Sequence, residues 1–359
     1  MAVDLKTRIH SSFSKDSATW SGFRSEITGA YINDKGAGVN YNDYSNHLIR
    51  EYNEKINELN QPKSLYIEPN DAGFRYTNKP LLGTDNGAAG AYSTKTIGFG
   101  GPLMRIRRSS DNAEVDVRGD KNGEISLSSP LIGTTTQSLG AFIGATHTGH
   151  CSVWYDQSHT GSAQNNLSQA TAADQPILVN GGTLVTDSNG NTALDFNGST
   201  HHMSLNTGFS STLNINALSS YLVFEADTTA GTQMVSCLGS FADSNKRWYA
   251  PFITSSNFSF NYGAGSAPST SANTNLNLVS MVADSTQGAY KAFLNSAQVG
   301  SDGSLEDKSG GTALVGVGGL GDSLHYNGKM GEFIIYSSSS ASTNRISIES
   351  DINKRFKIY

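Results

Sequence analysis

The feature that most constrains this chain is a succession of short apolar or alternating runs from about residue 85 onward, each bounded by Gly, Asn, Ser and Asp. The runs are Leu103–Arg107, Ser152–Tyr155, Ile177–Val179, Ala193–Phe196, Tyr221–Phe224, Phe252–Ile253, Phe258–Tyr262, Leu276–Val282, Tyr290–Leu294, Ala313–Val317 and Glu332–Tyr336. Asn-Gly pairs at 122–123, 189–190, 197–198 and 327–328 supply turn chemistry. Many short strands joined by such turns predict a mainly β fold, an antiparallel two-sheet sandwich.

Two helices frame that region. The first spans 45–60, with Ser45 or Asn46 as cap and Pro62 as stop. Its apolar residues Ile49, Tyr52, Ile56 and Leu59 step by 3, 4 and 3, a spacing that suits packing on its own domain or a short seam between symmetry mates. The second closes the chain, capped at Ser342 or Thr343, with Ile348, Ile352 and Phe356 on the face expected to lie across the sandwich. The organisation expected is a small mixed anchoring and oligomerisation region over 1–85 and a sandwich domain over 86–359, within the reach of 359 residues.

Charge and cysteine content exclude several classes. Lys and Arg total 25 against 31 Asp and Glu, a formal charge of -6, and an acidic chain lacks the field that nonspecific nucleic-acid binding needs. Cys151 and Cys237 cannot build a disulfide framework or a four-cysteine zinc site; one bridge between them or two buried thiols remain, and two buried thiols are expected. No apolar h-region opens the chain and no run approaches ~18 apolar residues, so neither a signal peptide nor a membrane span is expected. The Asn-x-Ser triplets at Asn166, Asn197 and Asn257 then read as chance.

Several segments taken in order resemble one family: Gly101-Pro-Leu-Met-Arg-Ile-Arg-Arg-Ser109, Cys151-Ser-Val-Trp-Tyr-Asp-Gln-Ser158, Leu314-Val-Gly-Val-Gly-Gly319 and Tyr326-Asn-Gly-Lys-Met-Gly-Glu-Phe333. The succession is similar to the catalytic domain of the arabinofuranosidase B family, and also to laminin-G-like modules of bacteriophage virion proteins. The resemblance covers roughly 90–359 and implies a concanavalin A-like jelly-roll sandwich. It also implies a carboxylate pair, because retaining glycoside hydrolysis needs a nucleophile and an acid/base. At the family's acid/base place stands Leu320, with Asp322 two residues on, and near its nucleophile place run Arg247, Trp248, Tyr249 and Ala250. The family's paired cysteines are reduced to Cys237. The expectation is therefore a chain that is not an enzyme, with no catalytic residues, metal or cofactor.

Other chemistry is weighed residue by residue. Glu225, at the end of an apolar run, reads as entering a solvated loop, or as a replacement nucleophile. His147, His150 and His159 gather loosely with Cys151, while His201 and His202, adjacent on a strand, point to opposite faces. No quartet has zinc spacing. Arg105, Arg107 and Arg108, with Lys95, pair with Asp111, Glu114 and Asp116 or guard a sheet edge; the alternative is an acidic neighbouring subunit. Gly316–Gly321 lacks the Lys-Ser/Thr of a phosphate loop. Trp248, Tyr249, Tyr262 and Asp322 are the expected ligand-binding residues, since sugar-binding sandwiches use aromatic faces with planar polar groups.

Together these readings predict a bacteriophage virion structural protein, a capsid decoration or a fibre-like appendage of head or tail. It would contact other virion proteins through its N-terminal region, form a homo-oligomer (a trimer by resemblance) and touch host-surface glycans. No nucleic-acid or membrane partner is expected. The alternatives are a glycoside hydrolase or depolymerase using Glu225 or Asp322, and a cement protein without a ligand.

Overall fold

The computed structural model describes residues 88–97, 101–133, 137–158, 165–205, 218–239, 247–254, 256–262, 267–284, 289–304, 315–319, 323–336 and 341–359, all inside one compact unit, Ser64–Tyr359. The helix expected at 45–60, with Ile49, Tyr52, Ile56 and Leu59, lies outside the described residues, as does the rest of the region 1–85.

The chain begins with β1 (Gly90–Ser93), β2 (Met104–Arg108), β3 (Glu114–Val117), a short helix α1 (Leu139–Ile143), β4 (Gly149–Trp154) and β5 (Leu167–Ser168). Next come β6 (Ile177–Asn180), β7 (Thr183–Leu184), β8 (Leu194–Asn197), β9 (Met203–Leu205) and β10 (Ser219–Ala226). β11 (Thr232–Met234), β12 (Ser236–Gly239), β13 (Arg247–Thr254), β14 (Asn257–Tyr262) and β15 (Ser269–Ser271) follow. The last strands are β16 (Leu276–Asp284), β17 (Ala289–Leu294), β18 (Ala297–Gln298), β19 (Gly303–Ser304), β20 (Val315–Val317) and β21 (Asn327–Tyr336), before helix α2 (Ala341–Phe356).

All their pairings are antiparallel. The larger sheet runs β3-β2-β4-β6-β8-β21-β10-β16-β17, with β1 beside the far end of β21. The smaller runs β5-β9-β20-β12-β13-β14-β15, with β11 beside β13. A β4–β5 pairing joins the two. Each apolar run of the sequence overlaps one of these strands among the described residues. The shortest strands, β5, β7 and β9, carry too few residues to show a period, and only their long-range partners define them.

Alternation along each strand builds two apolar layers. Trp154, Phe196, Phe224, Trp248, Phe258, Phe260 and Phe333 fill the space between the sheets. On the outer face of the larger sheet, Tyr221, Val223, Ile334 and Tyr336 meet Ile352 and Phe356 of α2, the helix face that the sequence pattern marks. The helix takes in Ser342 and Thr343 rather than being capped by them. Nor is Asn327-Gly328 a turn: it opens β21. Helix α1 is held by Ser138, whose hydroxyl accepts from the Ala141 N–H at 3.3 Å, and by buried Leu139, Phe142 and Ile143.

Polar side chains of the sandwich terminate α2. Lys95 Nζ donates to the Arg355 carbonyl (2.7 Å), to Glu124 (2.7 Å) and to Asn191 (3.0 Å). Asn191 reaches the Phe356 carbonyl at 2.9 Å and Asn189 the Lys357 carbonyl at 2.6 Å. These contacts satisfy carbonyls that a helix end leaves open and place positive charge at its negative pole. Beneath, fully buried Glu332 accepts from Arg355 Nη2 and, at 2.7 Å, from the Ser93 hydroxyl.

The resembling segments have structural work. Asp156 accepts from the backbone N–H of Ala91 (3.0 Å), Ser158 (2.9 Å) and Asn165 (3.0 Å). Gln157 accepts from Ile97 N–H and donates to the carbonyls of Ser93 and Lys95, so the pair staples β1 to β4. Arg105 grips Asp116 through two bonds of 2.8 and 3.0 Å, and Arg108 grips Asp111. Arg107 instead holds Gln175, Asn112 and the Ala172 carbonyl. Cys151 on β4 and Cys237 on β12 are buried thiols not joined in a disulfide.

Candidate functional site

Helix α2 covers one part of the larger sheet's outer face, and polar side chains occupy another. Residues opposed across antiparallel neighbours share a face. His150 stands opposite Ile177, Ile177 opposite Asp195, Asp195 opposite Lys329 and Lys329 opposite Glu225. The row crosses β4, β6, β8, β21 and β10, about 19 Å at the usual strand spacing. Its strand neighbours Cys151, Leu194, Phe196, Phe224 and Met330 all point into the core, which turns the row outward. Asp227, just beyond β10, joins it by ion pairing with Lys329 at 2.6 Å.

The electrostatics of this track are coupled. Burial, reinforced by the charge of Asp227, holds the Asp195 carboxyl above the usual carboxylate range, with Lys329 opposing. Burial pulls the Lys329 ammonium down, but its bond to Asp227 and the charges of Asp227, Glu225 and Asp195 outweigh that and hold it above its ordinary value. Burial lowers both His150 and His201; Arg107 adds to the first effect and His150 to the second. His150 Nδ1 donates to the Gln175 carbonyl and His201 Nδ1 to the Asp195 carbonyl, each at 3.3 Å, and among the described residues no hydrogen bond reaches either Nε2. Among the described residues no hydrogen bond reaches the Asp195 carboxylate. The track thus presents a carboxylate, two imidazole nitrogens and an ammonium on one face.

Of the residues singled out in the sequence, His150, His201 and Glu225 come to the track, while Trp248, Tyr249 and Tyr262 stand on strands of the smaller sheet. Trp248 is 2% exposed, its ring 6.5 Å from that of Tyr290 in the core. Tyr262 is its cross-strand partner, and Tyr249 pairs with Asn261. Asp322 and Leu320 lie outside the described residues. Glu225 is not in a solvated loop: it is 9% exposed at the end of β10, and its Oε2 accepts from Ser188 N–H at 2.7 Å. His202 diverges from His201, its Nδ1 donating to the Thr200 carbonyl at 3.0 Å. Among the described residues no three His, Cys, Asp or Glu side chains are arranged to hold a metal ion. Asp195, Asp227 and Lys329 carried no sequence signal beyond the outward slot of Asp195 between Leu194 and Phe196.

No family model matches the chain, and no curated protein does. Among solved structures, an arabinofuranosidase complexed with arabinofuranosyl-α-1,2-xylobiose is 15% identical, with a TM-score of 0.50, over 74% of this chain and 62% of that one. The likeness establishes the fold alone. A GH54 α-L-arabinofuranosidase soaked with a cyclic sulfate inhibitor follows, 14% identical over 74% of this chain and 62% of that one, TM-score 0.48. A sialidase CBM40 domain of Ruminococcus gnavus bound to α2,3-sialyllactose is 14% identical over 37% of this chain and 82% of its own, TM-score 0.31. This chain spans 62% of the arabinofuranosidases' length.

The comparison corrects the expectation of a chain without catalysis. The sandwich it shares is that of arabinofuranosidases, which are enzymes, so the fold offers no ground for excluding activity. The family's acid/base place, 320–322, lies outside the described residues.

Proposed function

We propose that this chain is a glycan-recognising sandwich carried on a bacteriophage particle, with residues 1–85 as its attachment and oligomerising part. The track of His150, His201, Asp195 and Lys329 carries the recognition half of this reading. Hydroxyl-rich ligands need donors and acceptors side by side at a half-buried surface, and sites of this kind fix orientation with few polar groups. The particle half rests on the likeness of Gly101–Ser109 and Tyr155–Ser158 to virion modules. The test is an array of bacterial surface polysaccharide fragments probed with the full chain, alongside electron microscopy of antibody-labelled particles. Asp195→Asn is expected to weaken the glycan signal about tenfold, the loss of a charge-assisted hydrogen bond. An unchanged signal, or unlabelled particles, would refute the corresponding half.

One observation favours hydrolysis of the bound glycan as a second reading. Burial holds the Asp195 carboxyl above the usual carboxylate range beside the ionic pair of Asp227 and Lys329, and glycosidic cleavage requires a carboxyl of raised pKa as proton donor next to a second carboxylate. Sugar release by the wild type that disappears in Asp195→Asn would establish it.

A further inference from the structure

Four of the chain's eight histidines gather at the β4–β6–β8 end of the track. His150 and His201 belong to it, and the His202 ring lies 5.8 Å from that of His325. His201 and His202 are more than nine-tenths buried. The surroundings assign a protonation state to His202. Gln169 Oε1 accepts from Thr171 N–H at 2.9 Å, so its amide nitrogen is the group 3.0 Å from His202 Nε2. That nitrogen can only donate. With Nδ1 donating to Thr200, the imidazole is neutral with its lone pair on Nε2. Protonation would set N–H against N–H.

We propose that Gln169 and His202 form a proton-operated latch that holds two loops over this end of the track and lets go on acidification. The first loop, 169–176, is tied to Gln169 by the Gln175 side chain, which donates to its carbonyl at 2.9 Å. The second, 198–202, is tied to the first by His202 N–H on the Asp174 carbonyl at 3.1 Å and by the Thr200 hydroxyl on the Ala173 carbonyl at 3.3 Å. His325, before β21, stands across the latch with its ring 5.8 Å from that of His202, Asp174 on the first loop accepts from His202 N–H through its carbonyl, and Arg107 on β2 holds Gln175 and the Ala172 carbonyl of that loop. The donor–donor clash at Gln169 sets the direction. Imidazoles titrate within the range that mild acidification crosses.

The latch is a property of the fold; its consequence for ligand grip rests on the glycan reading above. Hydrogen exchange of the full chain at pH 7.5 and 5.0, corrected for intrinsic rates, tests the latch without a ligand. Amides of 169–176 and 200–203 should lose protection at least tenfold at the lower pH, while β10 and β21 keep theirs. His202→Gln should abolish the response. Gln169→Glu should invert it, because a carboxylate accepts from the imidazolium and from Thr171 N–H together. Wild-type protection that does not change with pH, or a Gln169→Glu variant that responds as the wild type does, overturns the proposal. Should Gln169→Glu fail to fold, His202→Gln carries the test. If the arrays show no glycan binding but the exchange response appears, the glycan reading fails and the latch stands.

Discussion

Replacing Arg355 with Met tests how helix α2 is held on the sandwich. Glu332 has no exposed surface, and its carboxylate relies on the Arg355 guanidinium and the Ser93 hydroxyl. Arg355→Met keeps the aliphatic stem but leaves a buried carboxylate with one neutral donor. Breaking a buried pair from one side costs about 3–5 kcal/mol, because the surviving charge is uncompensated. For a domain of this size, each kcal/mol lowers the melting temperature by roughly 2–4 °C, so a fall of about 6–20 °C is expected. Arg355 Nε is itself buried without a partner, so the pair is imperfect and its net contribution should be small. The double variant Glu332→Leu/Arg355→Met should therefore lie within about 1–2 kcal/mol of the wild type. Urea unfolding of wild type, both single variants and the double variant completes the cycle. A single variant within ~1 kcal/mol of wild type, or a double variant that loses the sum of the singles, would refute the reasoning.

Gly318 has φ +77°, and a Cβ there would sit 2.1 Å from the Phe196 ring; Gly318→Ala should cost at least about 1–3 kcal/mol from backbone strain alone, read by urea unfolding. Stability should also depend on pH. The folded state holds His150 and His201 below the usual imidazole value, so below about pH 6.5 the unfolded chain binds more protons and stability falls with acidification. Asp187 and Asp195 are raised, chiefly by burial, and act in the opposite sense from about pH 4 upward, where their ionisation costs the folded state. Thermal melts between pH 7.5 and 5.5 should show a decline that His150→Gln and His201→Gln each reduce; a flat profile would contradict the assignment.

The candidate site was far less legible than the fold. Outward positions could be read from alternation: Asp195 falls between Leu194 and Phe196, and Glu225 follows Phe224. What stands beside Asp195 could not be read, because Lys329 lies far along the chain and meets it only through the β8–β21 register. A slip of one residue would have turned either side chain to the other face. The same limit applies to Trp248, whose aromatic character suggested a ligand platform but whose strand turns it onto Tyr290 in the core.

Local chemistry sufficed for the strands that carry the apolar runs, the apolar face of α2 with Ile352 and Phe356, and the pairing of Arg108 with Asp111 three residues away. Those features follow from the period of side-chain direction and from contacts within a turn, both properties of contiguous residues. Tertiary structure alone decided that Glu332 would be buried beneath α2, that Gln169 would meet His202, and that His150, Asp195 and Lys329 would share one outward track. Each of these depends on which strands pair and in what register, a choice made by the summed burial of two apolar layers rather than by any one segment.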